Sequence, residues 1–209
     1  MSPATRLDPF YLIVDHVSWL RRLLPCGVKL AQLRVKETGD SDLTAQIVEA
    51  RYLCKAHGAQ LIVNDYWRLA LDLGCDYVHL GQEDLLSADL DAIKAGGLKL
   101  GVSTHDEAEL ATALAAKPDY VALGPIFPTK LKQMPWAPQG PEKLALWRQK
   151  IGALPLVAIG GLTPDRALEC FKAGADGAAV VTDISLNADP EARCRAWFEA
   201  TRKDSRAES

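Results

Sequence analysis

Short apolar runs recur along the chain: FYLIV, LAQLRV, AQLIVN, DYVHLG, LKLGVS, DYVALG, LVAIGG and GAAVVT. Between them lie longer stretches with helical spacing, such as SDLTAQIVEARYLCKAHG and TPDRALECFKAG. Several of these stretches end in glycine just before the next run (HGAQ, LGCD, AGGLK, AGAD), the usual helix stop. Strand and helix therefore alternate, which predicts an α/β fold with a parallel sheet. Eight such units predict a single (β/α)8 TIM barrel over residues 1–209, with a frayed polar tail from about residue 203. A doubly wound open sheet is the alternative. The barrel is preferred because no run reads as an edge strand and no dinucleotide glycine fingerprint follows the first run.

Within the second run, Gln32, Arg34 and Lys36 alternate with Leu33 and Val35, which puts the amide and both cations on one side of a strand. Neither face of a barrel strand meets solvent, and an unpaired buried cation is costly. The C-terminal mouth, where barrel enzymes hold their ligands, is the place for such a row. Either the row binds an anion there, or Lys36 has left the strand and Arg34 pairs with an internal carboxylate.

The third run ends in Asn64-Asp65, and Glu83 and Asp84 follow the fourth, so Asp65 and Asp84 are expected at neighbouring strand ends. Two carboxylates about 5 Å apart repel by roughly 3 kcal/mol at an effective dielectric near 20. A hard divalent cation such as Mg2+, shared with substrate phosphate, would remove that repulsion. The plainer reading is that each Asp caps the helix after it. Ser103 ends the fifth run and can donate to an oxygen or cap the helix near Asp106. His105 is a weak candidate for a base, and His79 is an inward strand residue with no catalytic role assigned.

The sixth unit carries a long Pro-rich loop, Gly124 to Gly140, with Thr129, Lys130 and Lys132 as candidate anion contacts. Gly160-Gly161 ends the seventh run before a helix near Thr163-Pro164, and Val181-Thr182 ends the eighth. Loops after strands seven and eight commonly hold phosphate in barrels. The mouth thus has two expected anion sites. Arg34, Lys36, Ser103 and Lys132 form one, beside a metal at Asp65 and Asp84; Gly161, Val181 and Thr182 form the other. The pair suits the joining of two phosphorylated small molecules, one a diphosphate that leaves with Mg2+.

Composition narrows the setting. With 48% hydrophobic and 24% charged residues the chain is an ordinary globular protein. A net charge of −3 gives no basic footprint for nucleic acid. No apolar run is long enough to span a bilayer, and the N-terminus does not read as a secretion signal. The five scattered cysteines suggest reduced thiols and a cytoplasmic location. Homo-oligomerisation is left open.

Taken together, QLRVK, VND, VHLGQEDL, GVSTHD, LGPIFPTKLKQMPWAPQG, VAIGG and AVVTDI resemble the thiamine phosphate synthase family over nearly the whole chain. The resemblance implies a transferase of thiamine biosynthesis. It would join hydroxymethylpyrimidine diphosphate to a phosphoethyl thiazole, carboxylated or not, by Mg2+-assisted dissociative substitution. The products are thiamine phosphate and diphosphate. By matching position, Gln32, Arg34, Lys36, Asn64, Ser103 and Lys132 would hold the pyrimidine diphosphate, and Asp65 and Asp84 one Mg2+ per subunit. Thr129, Lys130, Leu131, Gly161, Val181 and Thr182 would hold the thiazole phosphate. Arg34, Lys36 and Lys132 would assist diphosphate departure, with no residue acting as acid or base. Three positions depart from the family pattern. Leu131 replaces a usual Thr, Tyr66 a frequent Arg, and Thr182 a usual Ser. Two rival readings are a thiazole tautomerase-like relative, which would lack the Mg2+ carboxylates, and a non-catalytic barrel that binds thiamine intermediates.

Overall fold

The structure, a computed structural model, describes residues 7–36, 39–129 and 137–204. All eight apolar runs are strands: β1 (Phe10–Val14), β2 (Leu30–Leu33), β3 (Gln60–Asn64), β4 (Tyr77–Leu80), β5 (Lys99–Thr104), β6 (Tyr120–Leu123), β7 (Leu156–Ile159) and β8 (Gly177–Val180). Each pairs in parallel with the next, and β1 pairs with β8 through Phe10–Ala178 and Leu12–Val180, so the barrel is closed. Closure removes the edges that an open sheet would leave.

Helices fill the connections: α1 (Val17–Leu23), α2 (Asp40–Ala56), α3 (Trp67–Asp72), α4 (Gln82–Ser87), α5 (Leu90–Ala95), α6 (Glu107–Ala115), α7 (Glu142–Ile151), α8 (Pro164–Lys172), α9 (Thr182–Ser185) and α10 (Pro190–Asp204). Gly58, Gly74, Gly97 and Gly174, from the four expected stops, all have positive φ. Asp119 and Asp176, placed just before β6 and β8, accept from the Leu100 and Leu156 amides of the preceding strands, at 2.8 and 2.7 Å. These bonds lie at the N-terminal rim, opposite the mouth, and serve register and stability.

The alternation within each strand divides the core in two. Phe10, Leu12, Ala31, Leu33, Val121, Leu123, Leu156 and Ala158 pack outward against the helices. Trp147 of α7 and Trp197 of α10 are fully buried in that layer, Trp197 stacked on Phe10 with centroids 5.7 Å apart. The other side chains fill the barrel: Tyr11, Ile13, Leu30, Ile62, Tyr77, Tyr120, Ala122, Val157 and Ala179. In register with these, and nearer the C-terminal ends, come Gln32, Asn64, His79 and Ser103. The interior thus turns polar toward the mouth. Helix α10 continues through buried Thr201 to Asp204.

Candidate active site

The row that begins on β2 is a gradient in burial. Gln32 is 2% exposed, and its amide Nε2 donates to the Tyr11 hydroxyl at 2.6 Å. Arg34 lies just past the strand, its N–H bonded to the Val14 carbonyl at 2.8 Å and its side chain half-buried, while Lys36 is exposed. Neither cation forms an ion pair among the described residues. Both instead act electrostatically on Asp65, favouring its ionised form.

Asp65 follows β3 with φ +66°, a left-handed conformation that Asp tolerates better than most residues but still at some cost. A hydrogen bond from its N–H to the His79 carbonyl, 2.9 Å, holds it there. Asp84 is not at a strand end as expected: β4 stops at Leu80, and Asp84 reaches back from the first turn of α4. Neither carboxylate caps a helix, since Tyr66 and Gly81 occupy those positions. The two side chains lie close enough for Asp84 to act on the Asp65 carboxyl. Burial first, and then the Asp84 charge and hydrogen bond, raise the Asp65 carboxyl to about 6. Two carboxylates in contact must share a proton or a cation. Mg2+ fits this donor set, with two hard oxygen ligands from the chain and other positions left for phosphate oxygens and water. Among the described residues there is no group of three or more His, Cys, Asp or Glu that could hold a metal.

Below the carboxylates runs a buried polar chain that the sequence did not reveal. The Tyr11 and Tyr120 hydroxyls are 2.9 Å apart. His79 Nδ1 lies 2.7 Å from the Tyr120 hydroxyl, and its Nε2 lies 2.8 Å from Ser103 Oγ. Burial, then the Arg34 charge, lowers the His79 pKa to about 4, so the ring is neutral at ordinary pH. Burial raises both tyrosines. Gly101 makes room for this arrangement, because a Cβ there would sit 2.1 Å from Tyr120 Cζ. The only sequence signal was that Tyr11, His79 and Tyr120 share the inward parity of their strands. His105 points elsewhere, with Nδ1 2.7 Å from Glu109 Oε2. Asp106, not Ser103, caps α6.

A cleft of about 250 Å3 opens beside the ends of β7 and β8, lined by Pro128, Thr129, Gly161, Leu162, Thr163 and Thr182, with Asp183 and Leu186 at its side. Gly160 and Gly161 have φ +98° and +65°, and a Cβ on Gly161 would meet the Pro128 carbonyl at 2.4 Å. The pair is therefore required twice over, by conformation and by the close approach of the loop after β6. Arg166 secures the turn, donating to the Gly161 carbonyl at 2.6 Å and stacking on Phe127. Asp183 would repel an anion here, but Arg193 holds it with two bonds of 2.7 and 3.0 Å, and the Trp197 indole donates to it as well. Val181 precedes α9 at its N-cap position. Lys130, Leu131 and Lys132 lie outside the described residues.

The chain is similar to proteins of one known family over most of its length. The family model described as thiamine monophosphate synthase matches residues 10–184. The thiamine-phosphate synthase of Rhizobium etli is 63% identical over 196 residues, covering 94% of this chain and 96% of that protein. That of Salmonella typhimurium is 48% identical over 191 residues, covering 91% and 87%. Among solved structures, thiamine phosphate pyrophosphorylase from Pyrococcus furiosus superposes with a TM-score of 0.83 at 27% identity, covering 94% of this chain and 96% of that one. With a match that runs from the first strand to the helix after the last, the chain belongs to the thiamine monophosphate synthase family.

Proposed function

We propose that this chain is a thiamine-phosphate synthase that joins a pyrimidine diphosphate to a phosphorylated thiazole, releasing diphosphate. The observation that carries this reading is the neighbouring Asp65–Asp84 pair, flanked by Arg34 and Lys36, at the same mouth as the Gly161–Thr182 cleft. Gln32, Asn64 and Ser103 line the interior just beneath and face the pyrimidine. Arg34, Lys36 and Lys132 bind the diphosphate and stabilise its charge as the C–O bond breaks. Bound Mg2+, one per subunit and held by Asp65 and Asp84, would offset the remaining phosphate charge. Thr129, Lys130, Gly161, Val181 and Thr182 hold the thiazole phosphate so that the ring nitrogen faces the departing carbon; Leu131, where a hydroxyl is usual, cannot donate a hydrogen bond to it. No acid or base is needed, and none is assigned. The five cysteines are free thiols, which suits a reducing cytoplasm. No described helix is long and apolar enough to cross a membrane.

The test mixes protein, both phosphorylated substrates and Mg2+, then oxidises product to fluorescent thiochrome. Product that disappears with chelator and in Asp65→Ala supports the reading. Absence of product from the wild type, with the thiazole phosphate still bound, would replace it with a binding or tautomerase role.

A further inference from the structure

We propose that the chain Gln32–Tyr11–Tyr120–His79–Ser103 is a one-way hydrogen-bond relay that makes the Ser103 hydroxyl an obligate donor to the mouth, with Tyr11, Tyr120 and His79 as positioning residues. The direction follows from counting donors. Gln32 Nε2 donates to the Tyr11 oxygen at 2.6 Å. The single Tyr11 hydrogen is then directed to Tyr120, 2.9 Å away. Tyr120, already accepting from Tyr11, places its own hydrogen on His79 Nδ1 at 2.7 Å. A neutral imidazole that accepts at Nδ1 carries its proton on Nε2, which donates to Ser103 Oγ at 2.8 Å. The Ser103 hydrogen, with no partner among the described residues, is left for a ligand.

The relay joins five strands, and its members are buried apart from the Ser103 end. In a low-dielectric interior such a chain is favoured only when every link is satisfied, so one reversal forces all the others to reverse. The opposite polarity would put the proton on Nδ1 and turn Ser103 inward as a donor to His79. Gly101 belongs to the device: its missing Cβ is the space that holds the Tyr120 hydroxyl in line, since that Cβ would lie 2.4 Å from the oxygen.

The consequence for turnover rests on the proposed function; the tautomer does not. Nitrogen-15 NMR of the labelled protein, with His79→Gln used to assign the signal among four histidines, reads the tautomer directly. The expected result is a protonated Nε2 and a bare Nδ1. A proton on Nδ1, or on both nitrogens, would overturn the proposal. Tyr120→Phe keeps the ring and removes the link, and Gly101→Ala displaces the link without removing a polar group; both are expected to mix the tautomers. In the thiochrome assay Tyr120→Phe is expected to lower kcat about tenfold with KM for the thiazole phosphate unchanged. Combining it with Ser103→Ala is expected to cost little more than Ser103→Ala alone. Independent, multiplicative losses would show that Ser103 does not act through the relay. If Tyr120→Phe fails to fold, the wild-type tautomer still decides. If the wild type makes no product but shows the Nε2 proton, the proposed function fails and the relay stands.

Discussion

Replacing Asp84 with Asn should make the metal-free protein more stable while damaging the site. The Asp65 carboxyl stands at about 6 against an ordinary 3.8, raised first by burial and then by Asp84. A carboxyl whose pKa is higher folded than unfolded holds its proton more tightly in the folded state. Raising the pH from about 4 to about 6 therefore removes stability, and the full penalty is present above about 6. Undiscounted, that difference corresponds to about 3 kcal/mol. Solvent reaches the half-buried carboxylate and burial itself survives the substitution, so the share returned by Asp84→Asn is about 1 kcal/mol. In a chain of this length that raises the melting temperature by roughly 2–4 °C. The assay is a pair of thermal melts with chelator at about pH 8 and about pH 4, chosen to bracket the titration. The variant should melt higher at the upper pH and level with the wild type at the lower. Mg2+ at about 100 times its dissociation constant should then reverse the order, because the wild type gains about 2.7 kcal/mol and the variant, one ligand short, gains less. Equal melting at the upper pH, or the same gain at both, would refute a destabilising effect of Asp84 on Asp65.

The Gly161→Ala substitution should raise KM for the thiazole phosphate about tenfold with a smaller effect on kcat, as the added Cβ forces the turn away from Pro128; steady-state kinetics at saturating pyrimidine diphosphate reads this. Arg34→Met should slow thiamine phosphate formation by on the order of a hundredfold. It should also shift the pH at which Mg2+ affinity fades upward, since Arg34 is one of the charges favouring the ionised Asp65; calorimetric titration across pH checks the direction. His105→Gln should leave kcat/KM within about threefold and cost at most about 1 kcal/mol of stability, because the ring is tied to Glu109. A large loss of activity would restore His105 as a candidate base.

Much of the architecture was written locally. Parallel strands buried on both faces read as unbroken apolar runs, and all eight became strands. The glycine stops are equally local, because a left-handed residue after a helix favours glycine wherever the helix goes. Asn64, Asp65, Ser103, Gly161 and Thr182 could be nominated because the C-terminal end of a barrel strand is one place, definable from the strand itself.

Other features depend on which elements meet. Asp84 comes to Asp65 from a helix turn rather than from a strand end, and its effect on Asp65 exists only at that contact. Tyr11 and Tyr120 are 109 residues apart and touch because β1 and β6 project across one interior. His79 looked inert as an inward strand residue; its two nitrogens gain meaning only once Tyr120 stands on one side and Ser103 on the other. Sequence determined the strands, the helix stops and the end of the barrel where chemistry gathers, because periodicity and backbone conformation are properties of neighbouring residues. Tertiary structure decided the approach of Asp84 to Asp65 and the direction of the buried relay. Hydrogen-bond polarity and charge coupling are set by partners in space, and barrel closure chooses those partners.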